Sequence, residues 1–121
     1  MAILTNGPSD HQRDKAHALG LEAWFAADDL IASGDTCYNK PDRELFLYAQ
    51  EKLGLDAAEI WYVGDSYLHD ALGAHNAGWH TIWLDRDYAS EGSERKKENK
   101  ADYTCHNCRE TAELLMQLLS L

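Results

Sequence analysis

The run Ile60-Trp61-Tyr62-Val63 is apolar at every position and ends in Gly64-Asp65. A strand with one wet face alternates polar and apolar residues, so a run without alternation points to a parallel strand covered by helices on both sides. Shorter runs of the same kind recur at Ala2-Ile3-Leu4, Leu30-Ile31-Ala32 and Thr81-Ile82-Trp83-Leu84, and residues 101–105 suit a short edge strand. Helical patterns fill the intervals. Ser9-Asp10-His11-Gln12 reads as a capping box with Ser9 at the N-cap, opening a helix that Gly20 ends. Pro41 suits the first turn of a second helix, whose Leu45, Phe46, Ala49 and Leu53 share a face and which Gly54 stops. After a capped turn at residues 56–59 and the long apolar run, Leu68, Ala71, Leu72 and residues 74–77 form a helix closed by Gly78. Asn107-x-x-Glu110 caps a last one, with Leu114, Leu115, Leu118 and Leu119 as its inner face. Strands thus alternate with helices, which predicts an α/β fold: a three-layer parallel sheet with right-handed crossovers, in one domain spanning 1–121.

Charge narrows the partners. The 21 acidic residues against 11 basic ones give a net charge of −10, a field that repels nucleic acid and anionic membrane surfaces. No apolar run reaches membrane-spanning length. Neither nucleic acid nor membrane is an expected partner, and an anionic substrate would need positive potential built locally, from a cation, a lysine or backbone amides. Cys37, Cys105 and Cys108 are odd in number and sparse, and no secretory leader precedes them, which predicts a reducing cytoplasm rather than a disulfide framework. The four tryptophans, Trp24, Trp61, Trp79 and Trp83, are expected in or around the core.

Ligands of an open parallel sheet sit beyond the carboxyl ends of its strands. Three segments occupy those positions. Thr5-Asn6 offers a hydroxyl and an amide at a helix N-terminus; the segment from Gly34 to Lys40 ends in an ammonium; Gly64-Asp65-Ser66-Tyr67-Leu68-His69-Asp70 projects Asp65 from a glycine turn and returns Asp70 one helical turn later. Each has a plainer reading too: Thr5-Asn6 as a capping turn, Lys40 as a solvated lysine, Asp65 or Ser66 as a helix cap. Together they make an oxyanion-plus-cation site.

In order and position, Ala2 to Gly7, Lys40-Pro41-Asp42 and Val63-Gly64-Asp65-Ser66 through Asp70 resemble the second, third and fourth motifs of the haloacid dehalogenase superfamily, and the likeness extends through Gly73-Ala74-x-x-Ala77-Gly78 to the closing strand and helix. The resemblance implies a Rossmann-like core and a magnesium-dependent phosphatase acting on a small phosphorylated metabolite through an aspartyl-phosphate. It gives Thr5 and the Asn6 amide the transferring phosphoryl group, Lys40 the neutralisation of its charge, Asp65 the ligation of Mg2+, and Asp70 the placing of the metal's waters or of Lys40. Gly64 and Ser66 support that rim. Mg2+ favours one or two carboxylates plus waters and substrate oxygens, and phosphoryl transfer mainly requires positioning and charge stabilisation.

The family's first motif, a strand followed by Asp-x-Asp that carries the nucleophile, has no match ahead of Ala2, nor has the cap that follows it. The expected sheet is therefore incomplete at its centre, and the chain alone should lose about 10⁴ to 10⁶ in turnover. Open interior edges also predict self-association or strand exchange. Asp85-Arg86-Asp87, itself after a strand, is the one candidate for a permuted nucleophile. A haloacid dehalogenase is the alternative within the superfamily, though Asp65 and Asp70 favour a phosphatase; a non-catalytic binding module is the alternative outside enzymes. Cys105-His106-Asn107-Cys108 lacks further ligands for a structural zinc, so Cys105 is expected as a small strand residue and Cys108 near the last helix's start. The basic cluster Arg95-Lys96-Lys97 reads as solvated surface.

Overall fold

The structure, a computed structural model, describes residues 1–86 and 99–119. Arg95, Lys96, Lys97 and Asp87 lie outside the described residues. The chain divides into two compact units, Met1–Leu55 and Asp56–Leu121.

In the first unit, β1 (Ile3–Thr5) runs parallel to β2 (Leu30–Ala32), with Ile3 opposite Leu30 and Thr5 opposite Ala32. Parallel neighbours need a crossover. It contains α1 (Ser9–Ala18), which buries Ala16 beside Phe25, Leu30 and Ala32, with Ile3 and Leu21 packed around them. Gly20, left-handed at φ 70°, turns the chain out of α1 as expected. The start of α1 differs from expectation. Its N-cap is Pro8, with no side-chain cap; Ser9 is already helical and its hydroxyl accepts from Arg13 Nε at 3.2 Å. Gln12 is occupied elsewhere, accepting from the Thr5 hydroxyl. Then α2 (Arg43–Leu53) buries Leu45, Phe46 and Ala49 and stops at left-handed Gly54. Its N-cap is Asp42, so Pro41 precedes the helix rather than standing in its first turn.

In the second unit, the capping box at Asp56 and Glu59 opens a short 3₁₀ turn before β3 (Trp61–Gly64). The sheet has the order β3-β4-β5, all parallel, with β4 (His80–Leu84) in the middle and β5 (Tyr103–Cys105) at one edge. As the central strand β4 buries Thr81, Ile82, Trp83 and Leu84. β3 is less covered than its apolar sequence predicts: Val63 is 37% exposed, because β3 is the other edge of this sheet among the described residues. A π-helical turn (Tyr67–Leu72) runs into α3 (Gly73–Asn76), burying Ala71 and Ala74, and Gly78 (φ 85°) closes the segment. In α4 (Cys108–Leu118), the Asn107 side chain accepts from the Glu110 amide at 2.8 Å, while Glu110 reaches back to the His106 amide at 2.7 Å. The leucine face of α4 is only partly covered, and Leu119 is 47% exposed. Trp79 and Trp83 are buried and Trp61 stacks on His80, but Trp24 is 70% exposed, away from any core. Among the described residues no helix is long and apolar enough to cross a membrane.

Candidate active site

The candidate residues fall into two groups, one in each unit. In the first unit, Thr5 ends β1 and its hydroxyl donates to Gln12 Oε1 at 3.3 Å. Asn6 follows and grips Lys40 across 34 residues of sequence. Its Oδ1 accepts from the Lys40 amide at 2.7 Å, and its Nδ2 donates to the Lys40 carbonyl at 3.2 Å. One exposed amide side chain thus fixes the backbone that carries the ammonium, joining the second-motif and third-motif segments. The expectation gave Asn6 a role through its backbone only; no local spacing reveals a clamp at this range.

A second brace holds the same loop. The Gly7 amide donates to Ser33 Oγ at 2.8 Å, and the Gly34 amide to the Gly7 carbonyl at 2.9 Å. A Cβ on Gly34 would lie 2.8 Å from that carbonyl oxygen and from Pro8 Cα, so the approach depends on glycine. Beyond the loop, the peptide bond between Lys40 and Pro41 is cis, and the Asn39 amide donates to Asp42 Oδ2 at 3.1 Å.

In the second unit the acidic residues differ sharply. Asp65, directly after β3, presents an exposed carboxylate that no described residue hydrogen-bonds. Asp70 is 5% exposed, and both its oxygens are engaged: Oδ1 accepts from the Tyr62 hydroxyl and Oδ2 from the Ser66 amide, each at 3.1 Å. A buried carboxylate needs such donors, because losing water without replacement costs several kcal/mol, roughly 2–7 for even a neutral polar group. Gly64 makes the approach feasible, since a Cβ there would stand 2.5 Å from Asp70 Oδ2. Ser66 also caps the turn: its Oγ accepts from the His69 amide at 3.2 Å and meets His69 Nδ1 at 3.1 Å. The capping reading of Ser66 therefore holds.

Burial, then the charge and hydrogen bond of Asp70, then the charge of Asp65, push the Tyr62 phenol far above its ordinary range, so it is a donor at any working pH. Tyr62 and Trp83 are residues that the sequence reading did not place in the site. Trp83 Nε1 donates to the Asp65 carbonyl at 3.2 Å. For Tyr62 a signal existed: it stands two residues before Gly64, hence on the same side of the strand.

A single exposed carboxylate at a strand end, backed by a second one locked in place, is a donor set that fits Mg2+, which retains most of its waters. It does not fit a closed zinc site, and among the described residues no group of three or more His, Cys, Asp or Glu could hold a metal. Cys105 is buried and Cys108 exposed at the first position of α4. Asp85 is buried, with its amide donating to the Cys105 carbonyl at 2.7 Å.

A family model described as HAD-hydrolase-like matches residues 37–111. The chain belongs to the HAD-like hydrolase family. It is 37% identical over 94 residues to a phosphoserine phosphatase of Thermus thermophilus, covering 78% of this chain and 37% of that one. It is 29% identical over 118 residues to a glyceraldehyde 3-phosphate phosphatase of Methanocaldococcus jannaschii, covering 98% of this chain and 50% of the other. The magnesium-bound crystal structure of YfnB from Bacillus subtilis superimposes with a TM-score of 0.79 at 29% identity, over 94% of this chain and 48% of that one. The two sheets described above are thus an incomplete Rossmann-like core of the HAD-like type. The chain spans about half, or less, of the length of the relatives it matches.

Proposed function

We propose that these residues are the phosphate-handling and metal-handling part of a magnesium-dependent phosphatase that hydrolyses a small phosphomonoester through an aspartyl-phosphate. The observation that carries this reading is the Asn6 clamp on Lys40, which ties the hydroxyl-bearing and ammonium-bearing segments together. In this reading Thr5 and the Asn6 amide hydrogen-bond phosphoryl oxygens, and Lys40 offsets their negative charge. Asp65 would hold Mg2+ directly, with Asp70 behind it holding the peptide from which Asp65 projects, and the ion when bound would supply positive charge against the phosphoryl oxygens. The phosphatase names of the Thermus and Methanocaldococcus relatives support the reaction class.

The aspartate nucleophile would come from a segment outside these 121 residues, in the same natural chain or another. Its carboxylate oxygen would bond to phosphorus as the bond from phosphorus to the ester oxygen breaks, the alcohol leaving with a proton from an acid of the same segment, and water would then cleave the acyl phosphate to inorganic phosphate and the free carboxylate. β1 and β3 each have one strand neighbour among the described residues, and such open edges readily take up another strand. We propose that they accept the nucleophile-bearing strand when it is present, and that without it the 121 residues self-associate or exchange strands.

The test is hydrolysis of a generic phosphomonoester by the full natural chain, with Mg2+ and after chelation. The expected result is turnover that chelation abolishes and Mg2+ restores; residues 1–121 alone should fall lower by about 10⁴ to 10⁶. Turnover indifferent to chelation would overturn the metal assignment, and no turnover on any small phosphomonoester would overturn the reaction class.

A further inference from the structure

The peptide plane that follows Asp65 is held at both ends. Its carbonyl oxygen accepts from Trp83 Nε1 at 3.2 Å, and its amide, that of Ser66, donates to Asp70 Oδ2 at 3.1 Å. This plane fixes the backbone from which the exposed Asp65 carboxylate projects. One of its two anchors is Asp70, and Asp70 is in turn held through its other oxygen by the Tyr62 hydroxyl at 3.1 Å. Trp83 is fixed by burial on the central strand β4, where it stands opposite Gly64. Asp70 enjoys no such support from a strand of its own: it sits in the π-helical turn, and its orientation depends on its donors.

We infer that Tyr62 is a positioning residue for magnesium binding: its hydroxyl locks the Asp70 carboxylate, which locks the Asp65–Ser66 peptide and so aims the Asp65 carboxylate. The inference rests on the metal reading above. Tyr62 is itself wedged edge-on against Trp79, with ring centroids 5.7 Å apart, so its hydroxyl is delivered by a rigid ring rather than a mobile chain. Without that hydroxyl, Asp70 Oδ1 loses a donor in a site where water has little access, which weakens the hold of the carboxylate on the Ser66 amide. Groups that orient metal ligands in this way typically alter metal affinity by about 10- to 100-fold.

The experiment is calorimetric titration of Mg2+ into the full natural chain, comparing wild type, Tyr62→Phe and Thr111→Val. Thr111 is a buried residue whose hydroxyl donates to the Asn107 carbonyl at 3.0 Å, so its variant loses a hydrogen bond of similar burial at a position outside the site. Tyr62→Phe should raise the Mg2+ Kd by about tenfold, while Thr111→Val lowers thermal stability and leaves Kd unchanged. An unchanged Kd in Tyr62→Phe overturns the inference and leaves the metal reading standing. Equal rises in both variants also overturn it, by reducing Tyr62 to a structural role. Absence of Mg2+ binding in wild type overturns the metal reading and this inference with it. If Tyr62→Phe fails to fold, wild type carrying ¹³Cζ-labelled tyrosine decides: a Tyr62 resonance that moves with Mg2+ and saturates at the wild-type Kd supports the coupling, and one that stays still overturns it.

Discussion

The two groups of site residues are held in place by opposite means. In the first unit the clamp on Lys40 is an exposed asparagine side chain gripping backbone, and the groups it positions are a hydroxyl and an ammonium. In the second unit the brace is a buried carboxylate, shielded from water and fed by a phenol and an amide. The proposed roles would explain the contrast. A lysine that neutralises a phosphate needs reach and some mobility, so fixing its backbone suffices. A carboxylate that meets a metal of strict octahedral geometry needs a fixed direction, and a water-excluded neighbour keeps that direction without competition from solvent. An exposed clamp contributes little to stability on its own, whereas a buried network is expensive to break.

Neutralising each group's charged residue in the full natural chain tests this contrast most severely. Asp65→Asn removes the proposed metal ligand and should lower kcat/KM by about 10³-fold or more, with Mg2+ binding lost in calorimetry. Lys40→Ala should cost about 10²-fold in kcat/KM and leave Mg2+ affinity near wild type. Equal loss of Mg2+ affinity in both variants would break the division of labour. Neither change should alter the thermal midpoint much, since Asp65 is exposed and the Lys40 backbone bonds survive truncation.

Gly64→Ala probes the buried side of the comparison. Its added methyl would stand 2.3 Å from Asp70 Cβ and 2.5 Å from Oδ2, inside any tolerable contact, so either the strand or Asp70 must shift. The expected loss is about 1–3 kcal/mol in chemical denaturation, the usual range for overpacking. Mg2+ affinity should fall with it, because the atoms displaced are those that hold the Ser66 amide. A variant of wild-type stability would mean that Asp70 is not tightly seated after all.

How far these features were legible in sequence follows from the range of the forces involved. The parallel strands, the left-handed stops at Gly20, Gly54 and Gly78, and the Asn107 cap depend on residues a few positions apart, and local pattern revealed them. The positions of Thr5 at the end of β1 and of Asp65 directly after β3 were legible from the apolar runs that precede them. The Asn6 clamp and the Trp83 bond to Asp65 span 34 and 18 residues, and no local periodicity encodes them. The capping box at Ser9 misled because Gln12 found a competing partner in Thr5, a tertiary contact that overrode the local motif. Val63 misled because an apolar sequence describes a strand's chemistry, while its exposure is set by whether a neighbour covers that edge. Tyr62 was hidden for a different reason: a tyrosine in an apolar run reads as packing until its hydroxyl's partner is known.

The smallest effect is expected at the exposed clamp, where the comparison is most easily sharpened. Asn6→Ala removes both bonds to Lys40, but water can reach the freed amide and carbonyl, so the stability cost should be no more than about 1 kcal/mol. Catalysis should suffer more than folding does. The Lys40 backbone loses its anchor, and kcat/KM should drop about tenfold, chiefly in kcat, with Mg2+ affinity unchanged. Asn6→Asp separates geometry from charge: it retains the acceptor for the Lys40 amide, loses the donor to the Lys40 carbonyl, and adds a negative charge where phosphate should bind. If the loop's task is to present positive potential, Asn6→Asp must be worse than Asn6→Ala in kcat/KM, even though it preserves the shorter of the two bonds. The reverse order would mean that the clamp matters only as a hinge for the loop, and that the phosphoryl group is bound elsewhere.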